Sequence, residues 1–389
     1  MKLLLSLFAF CAVASLSAQK TMTLRDCIER AQQRNIKVQQ ADLARRQQEI
    51  QLDDARKAML PEVGGSAGAN LSFGRGLTAN NAYETRNTNS TSLSIAGSMP
   101  LYTGGRSAHR RKQAALQLQA AGADAQRIAE ELQLQVAQAY YQVLFRMDLI
   151  AQAQTNLRNT LAQEERMAAQ IRAGRLPEVD LAQARARTAQ DRLALVQAEN
   201  DKMIALLELS QLLEYPSPDS LAVAPPATHT LPAVPGNPEE IYALSLTERP
   251  ALQAAQLRSR AADEQIELAR AGMRPTLSLN AGLGTSYYHT SGIDNAAIGR
   301  QLRDNFSQNI GLSLSVPLYD RRATRNSVAQ AQLAATNARL DEEEARKSLY
   351  KEIQSAYYAA VTSRHKWEAA QVADSAAVTA AQLAQKKYE

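Results

Sequence analysis

The side chains that most often perform chemistry in proteins are few in this sequence and lie far apart. The two cysteines and four histidines are Cys11, Cys27, His109, His229, His289 and His365. None of them shows the spacing of metal ligands. The sequence has neither a nucleophile elbow nor a glycine-rich phosphate loop, and its acidic residues sit beside Arg and Gln on helical segments. These observations predict no enzyme, no cofactor and no metal site, with the histidines simply solvated.

The charged residues are numerous but evenly mixed. Of 389 residues, 44 are Lys or Arg and 39 are Asp or Glu, which leaves a formal charge of +5. No basic block stands out, so the sequence does not support binding to nucleic acid.

The first residues have the pattern of an export signal. Lys2 precedes an apolar run of about 14 residues, and small residues lead up to Ala18. We interpret residues 1–18 as a signal peptide that is cleaved near Ala18. No other apolar run approaches the roughly 18 residues that a spanning helix needs. If the exported chain enters a membrane, it must therefore do so by strands.

One nine-residue segment occurs twice and joins two kinds of pattern. Residues 98–106 read SMPLYTGGR, and residues 315–323 read SVPLYDRRA. Before each copy, apolar and polar residues alternate. After each copy runs a long, proline-free, Ala- and Gln-rich stretch that predicts a helix. We expect four prolines to mark the joints between strands and helices: Pro61, Pro100, Pro275 and Pro317.

The alternating stretches predict four strands in two hairpins, at residues 62–102 and 276–318. The clearest alternation runs for about eleven residues, the length of a tilted strand that crosses a bilayer. One face is apolar, and the other carries small polar residues: Ser66, Asn70, Ser94, Ser278, Asn280 and Ser313. An ordinary sheet packed on a core is the alternative, but the neighbouring helical segments are too polar to cover its apolar face. Polar loops are predicted at residues 74–91 and 286–307.

The remaining segments predict long helices. Residues 21–59 predict one helix that Pro61 ends, and residues 105–213 predict a long antiparallel helical hairpin. Apolar residues recur at multiples of seven along both arms, as in a coiled coil. Gly174, Arg175, Leu176 and Pro177 predict the turn between the arms. Residues 238–273 predict another helix, and the last helix runs from residue 321 to the end.

The two halves repeat each other. The segment ARKAML at residues 55–60 is echoed by ARAGMR at residues 269–274, an offset of 214 residues. We therefore divide the chain into a first repeat, 19–213, a proline-rich connector without helix or central strand, 214–238, and a second repeat, 239–389. A second pair of matched segments has an offset of 217 residues, at which Glu389 corresponds to Arg172. We accordingly interpret the sequence as truncated at its C-terminus, just before the second copy of the Gly174 turn.

Four strands with one apolar face cannot cross a bilayer as an open sheet, because unpaired backbone groups in lipid are costly. Two copies of the chain would supply eight strands, whose interior is filled by side chains. Three copies would supply twelve, enough for a lumen lined by Ser, Asn and Gly. The predicted fold is mainly α with transmembrane β: antiparallel helical hairpins form an α-barrel, and four strands per protomer complete a trimeric 12-stranded β-barrel.

This arrangement resembles the TolC-like outer-membrane efflux proteins. The resemblance covers essentially the whole chain after the signal peptide. It rests on the tandem repeat, the Pro-Leu-Tyr joints at Pro100 and Pro317, and the segment from Ile171 to Ala184 around the helical turn. It implies a homotrimer in the lipid of the outer membrane, with its helical part in the periplasm. It also implies docking of the hairpin tip to a periplasmic adaptor and an inner-membrane pump.

Carried over by position, the adaptor-docking tip would comprise Gly174, Arg175, Leu176, Pro177 and Asp180. Three questions stay open at this point. The tip is either a docking site or merely a turn, although the two are compatible, and its charges are either solvated or joined in an ion pair. Tyr102, Tyr287, Tyr288 and Tyr319 form either an interfacial girdle or packing at the barrel rim. A secreted coiled-coil adaptor or scaffold is the alternative function, which leaves the four strands unexplained.

Overall fold

The computed structural model describes residues 20–77, 81–218, 221–225 and 236–388. The predicted signal peptide, 1–18, lies outside them. The chain divides into two compact units. The first contains residues 1–44, 123–241 and 355–389, and the second contains residues 45–122 and 242–354.

The described chain begins with strand β1 (Lys20–Met22) and helices α1 (Leu24–Arg34) and α2 (Ile36–Lys57). Strands β2 (Glu62–Ser72), β3 (Arg75–Leu77), β4 (Tyr83–Thr85) and β5 (Thr88–Tyr102) come next, followed by helices α3 (Arg106–Arg172) and α4 (Glu178–Leu212). Strand β6 (Leu221–Val223) precedes helices α5 (Pro238–Glu248) and α6 (Pro250–Arg270) and a 3-10 turn (Ala271–Met273). Strand β7 (Thr276–Thr290), helix α7 (Ile298–Asp304), strand β8 (Ser307–Ser315) and helix α8 (Ala323–Tyr388) complete the order.

The single helix predicted over residues 21–59 is wrong, because Asn35 interrupts it. Asn35 has an extended backbone, with φ −63° and ψ 131°. Its side-chain oxygen accepts a hydrogen bond from the Lys37 N–H at 2.9 Å, and its amide donates to the Leu212 carbonyl at 3.0 Å. The side chain thus caps the start of α2 and ties the break to α4. A short polar side chain that bonds to nearby backbone offers this alternative to a continuous helix.

Other predicted boundaries also need correction. The helix predicted over residues 238–273 is two helices and a 3-10 turn, because Pro250 starts α6. The proline-rich connector contains β6, which pairs in parallel with β1 in a two-stranded sheet. The polar loops are shorter than predicted, since β3 and β4 form a small hairpin in the first and α7 occupies the second.

The core of the first unit lies where α1, α3 and α4 meet the two-stranded sheet. Val136, Val143 and Leu209 are completely buried there, and each belongs to the seven-residue pattern seen in the sequence. Cys27 of α1 is also completely buried, and the Tyr140 hydroxyl donates a hydrogen bond to the Ala224 carbonyl. This bond satisfies the polar end of a buried aromatic ring.

The second unit contains a four-stranded antiparallel sheet in the order β2-β5-β7-β8. The central pair, β5 and β7, joins the two hairpins and places Ser98 opposite Asn280, 182 positions later in the sequence. β2 and β8 are therefore the two edges. In the same unit, Leu52 and Ala55 of α2 pack against Ala114 of α3 in a small core.

Candidate functional site

The six small polar residues predicted to line a lumen lie on one face of the four-stranded sheet. Directly opposed residues in antiparallel strands share a face. Ser66 lies opposite Ser94, and their hydroxyl oxygens are 2.7 Å apart. Ser278 lies opposite both Pro100 and Ser313. Asn70 and Asn280 lie on the same face by strand alternation, so the face is continuous across all four strands.

The opposite face is apolar and exposed. Ile310, Leu312 and Leu314 of β8 are 77%, 67% and 65% exposed, and Val63 of β2 is 68% exposed. An exposed apolar face of this extent normally contacts another protein or a membrane. Within the described residues, the outer edges of β2 and β8 pair with no further strand.

The four predicted joint prolines occupy different positions relative to the strands. Pro61 and Pro275 each precede the start of a strand, β2 and β7, by one residue. Pro317 follows the end of β8 by two residues. Pro100, however, lies inside β5, at an irregularity in the pairing with β7 between residues 100 and 102. A proline lacks the N–H needed for the ladder, so strand pairing shifts at this position.

Each of the two joints that follow β5 and β8 has two consecutive residues with positive φ, but the residue types differ. The first has positive φ at Gly104 (64°) and Gly105 (88°), and the second at Arg321 (53°) and Arg322 (66°). A Cβ at Gly104 would lie 2.8 Å from the Cβ of Arg274. The Arg274 guanidinium also donates a hydrogen bond to the Gly104 carbonyl at 3.0 Å. Glycine at this joint therefore permits a close approach, whereas the exposed second joint accepts arginine.

The predicted hairpin tip is a tight turn between α3 and α4, in the first unit. Gly174 has φ 74°, and its N–H donates to the Ile171 carbonyl at 2.8 Å. The Arg175 N–H donates to the Gln170 carbonyl at 2.9 Å, which completes a Schellman cap. Pro177, in an extended conformation, begins α4. The tip backbone is thus held by its own hydrogen bonds, and the Arg175 and Pro177 side chains are exposed.

The charges around this tip are solvated. Among the described residues, no ion pair joins Arg172 or Arg175 to Glu178 or Asp180. Across the hairpin, Arg185 forms an ion pair with Glu164 at 3.5 Å, and Asp180 lies in the first turn of α4. A carboxylate there is favoured by the positive end of the helix dipole without any partner.

Two titratable groups have surroundings that the sequence did not predict. His109 was expected to be solvated, but its Nδ1 lies 2.6 Å from the Glu264 carboxylate, and both side chains are mostly buried. Cys27 is completely buried, and this burial, aided by the Asp26 carboxylate, raises the pKa of its thiol to about 11. Glu264 and the residues that bury Cys27 come from distant parts of the chain, so no local pattern reveals these surroundings.

The comparisons with known proteins agree with this architecture. The sequence profile of the family described as outer membrane efflux protein matches residues 27–214 and 241–389, most of the chain. The chain belongs to the outer membrane efflux protein family. Its resemblance to TolC-like proteins is thereby confirmed, and so is a location in the outer membrane. The family is one of transport channels rather than of enzymes.

Two curated relatives illustrate the similarity. The outer membrane protein TolC of Escherichia coli (strain K12) is 28% identical over 316 residues, which cover 79% of this chain and 61% of TolC. The outer membrane efflux protein BepC of Brucella suis biovar 1 (strain 1330) is 24% identical over 362 residues, which cover 93% of this chain and 74% of BepC. The matched part of the chain thus spans less than two thirds of the length of TolC.

Solved structures of similar proteins share the fold. The outer membrane channel CmeC of Campylobacter jejuni superposes with a TM-score of 0.80 at 17% identity, covering 94% of this chain and 76% of CmeC. A membrane protein from Pseudomonas aeruginosa gives a TM-score of 0.78 at 23% identity, covering 94% of this chain and 83% of that protein. The predicted combination of long helical hairpins and a strand domain is confirmed. None of the described helices is both long enough and apolar enough to cross a membrane.

Proposed function

We propose that this chain forms an outer-membrane conduit of a tripartite efflux or type I secretion system, through which substrates pass passively from the periplasm to the exterior. The observation that carries the proposal is the sheet with one exposed apolar face and one continuous Ser, Asn and Gly face. In a closed barrel the first face contacts lipid and the second lines water. We assign no catalytic step to the chain, in keeping with its transport family.

The two edges of the sheet support closure by copies of the same chain. Because four antiparallel strands lie in one sheet, β2 and β8 run in opposite directions. The β8 edge of one protomer therefore complements the β2 edge of the next in an antiparallel pair. Such head-to-tail contacts form a ring when the rotation closes. Three protomers give twelve strands, whereas eight strands leave an interior filled by side chains.

The hairpin tip is the part of the chain that we propose contacts a periplasmic adaptor and, through it, an inner-membrane pump. Gly174, Arg175, Leu176, Pro177 and Asp180 form a compact turn whose backbone is internally hydrogen-bonded. Such a turn presents the same side chains to a partner without first having to become ordered. The repeat organisation, with residues 19–213 and 239–389 flanking the connector, remains part of this proposal.

Fractionation of expressing cells, followed by sizing in mild detergent and conductance in planar bilayers, tests the conduit. We expect an outer-membrane species of three protomers that opens aqueous pores. A soluble periplasmic monomer without conductance would refute the barrel and support the coiled-coil scaffold instead.

The tip is tested by charge reversal in an efflux-deficient strain that lacks its own outer-membrane channel. Arg175→Glu should weaken co-purification of the adaptor and reduce efflux. Arg158→Glu is the matched control, since Arg158 is an exposed residue of α3 that lies outside the turn. Equal effects of both variants, at equal amounts of trimer in the outer membrane, would show that the tip is only a turn.

A further inference from the structure

A polar cleft in the second unit has the composition of an anion-binding site. It has a volume of about 570 Å³ and lies between the start of α3, the end of α6 and the start of α8. Its polar lining residues are Arg106, Arg110, Gln113, Gln265, Thr324 and Ser327. No carboxylate side chain is among the lining residues.

The two arginines of the cleft have no anionic partner within the described part of the chain. Arginines further along the helices do: Arg127 contacts Glu131 at 2.7 Å, and Arg146 contacts Asp201 at 3.0 Å. Arg106 and Arg110 are also at the N-terminal end of α3, where the helix dipole disfavours a cation. Neither an ion pair within the described residues nor the helix dipole therefore explains why two arginines line this cleft.

The acidic groups near the cleft are already engaged. The Glu264 carboxylate contacts His109, and Asp320 accepts hydrogen bonds from the Thr324 N–H, at 2.7 Å, and from its hydroxyl. The Gln113 amide donates to the Gln265 oxygen at 2.9 Å, which leaves the Gln265 amide nitrogen available as a donor. The free hydrogen-bonding capacity of the cleft is therefore dominated by donors.

A glycine keeps the cleft open. A Cβ at Gly272 would lie 3.1 Å from the Thr324 methyl group and 3.7 Å from an Arg106 guanidinium nitrogen. Gly272 has no positive φ that would itself require glycine. Its small size therefore permits the close approach of the 3-10 turn after α6 to the starts of α3 and α8.

We propose that this cleft binds a phosphate group, with Arg106 and Arg110 as the principal ligands. Guanidinium groups donate paired, charge-assisted hydrogen bonds to phosphate oxygens, and the Gln265 amide and the Ser327 hydroxyl complete the donor set. The phosphate belongs either to a soluble anion or to the headgroup of an anionic phospholipid. The proposal does not depend on the conduit function, because the cleft is formed within one chain.

Titration of the full-length chain in nonionic detergent tests the site. Inorganic phosphate is added at constant ionic strength, and binding is followed by calorimetry and phosphorus NMR. We expect one saturable site per chain. Arg110→Gln should weaken it by about tenfold or more, because a charge-assisted ligand is lost. The absence of saturable binding would overturn the proposal.

Matched variants distinguish a specific phosphate site from nonspecific electrostatic attraction of phosphate to the protein. The double variant Arg106→Gln/Arg110→Gln removes the same charge from α3 as Arg111→Gln/Lys112→Gln. All four residues are exposed, but Arg111 and Lys112 do not line the cleft. We expect only the first double variant to lose binding. Equal losses would refute the cleft and indicate general electrostatics. Gly272→Ala, which leaves the charge unchanged, should also weaken binding by narrowing the cleft.

A second arm distinguishes the source of the phosphate. The chain is reconstituted in nanodiscs of phosphatidylcholine with or without phosphatidylglycerol, and inorganic phosphate is titrated again. If phosphatidylglycerol competes with phosphate in the wild-type chain but phosphatidylcholine does not, the ligand is a lipid headgroup. If phosphate binds equally in both, the ligand is a soluble anion. Both results support the site, and neither depends on conductance or on the number of protomers.

Discussion

Two adjacent residues of β8 provide a sharp test of which face of the sheet contacts lipid. Leu312 lies on the apolar face, opposite Leu279, and is 67% exposed in the protomer. Ser313 lies on the small polar face, opposite Ser278. Arginine at either position introduces the same charged side chain into the same strand. We expect Leu312→Arg to prevent stable insertion and Ser313→Arg to be tolerated.

The magnitude follows from the position in the strand. Residue 312 is the sixth of the nine residues of β8, near the middle of the strand. An arginine on the lipid face near the bilayer midplane costs about 2–4 kcal/mol, and a trimer carries three of them, about 6–12 kcal/mol in total. That loss is comparable to the entire free energy of unfolding of a typical domain, about 5–15 kcal/mol. The Ser313→Arg side chain would instead lie in water.

For Leu312→Arg, the measurements are the yield in the outer membrane and the amount of detergent-resistant trimer. For Ser313→Arg, the measurement is conductance in planar bilayers. We expect little or no trimer for Leu312→Arg. Ser313→Arg should insert normally and shift ion selectivity toward anions, because three guanidiniums then line the lumen. Normal insertion of Leu312→Arg, or equal loss in both variants, would refute the assignment of the two faces.

Three further predictions concern the helical part and are measured by unfolding. Gly174→Ala should lower the free energy of unfolding by about 1–2 kcal/mol, because φ is 74° there. Gly122→Ala, inside α3 with open space around it, should raise that energy by about 0.5–1 kcal/mol, and the same sign for both variants would contradict the reasoning. Leu209→Ala should cost about 2–5 kcal/mol because Leu209 is completely buried. Leu207→Ala, at a residue 44% exposed, should cost clearly less, and similar costs would place the core elsewhere. The free energy of unfolding should fall between about pH 9 and about pH 11. In the unfolded chain the Cys27 thiol ionises near its usual pKa of 9.0, whereas in the folded chain the buried thiol stays protonated up to about pH 11. Cys27→Ala should abolish that part of the pH dependence, and an unchanged profile would contradict it.

The kinds of elements were readable from local patterns. Alternation with a period of two predicted the strands that carry Ser66 and Ser313, and the seven-residue spacing of Val136 and Val143 predicted a buried helical seam. Gly174 and Pro177 predicted the turn between α3 and α4, because each has a specific backbone preference. Local preference failed at Asn35, where a tertiary hydrogen bond to α4 helps to stabilise the break in the helix.

The candidate sites also differ in whether local sequence patterns predict them. The Ser, Asn and Gly face was predictable because alternation alone assigns residues to faces. The cleft around Arg106 was not, since its lining comes from residues 106–113, 265–272 and 323–327, which meet only in the folded chain. The contact of His109 with Glu264 and the burial of Cys27 likewise depend on helices that meet only in the folded chain.

Local sequence patterns predicted the long helices, the four strands of the main sheet with their two faces, and the duplication of the pattern. The tertiary structure decided that β5 and β7 pair, which joins the hairpins of the two repeats in one sheet and leaves β2 and β8 as its edges. It also decided that β1 pairs with β6, about 200 positions away. The physical reason is that side-chain periodicity is set by the local backbone, whereas strand order is set by which distant surfaces lose most contact with water when they meet.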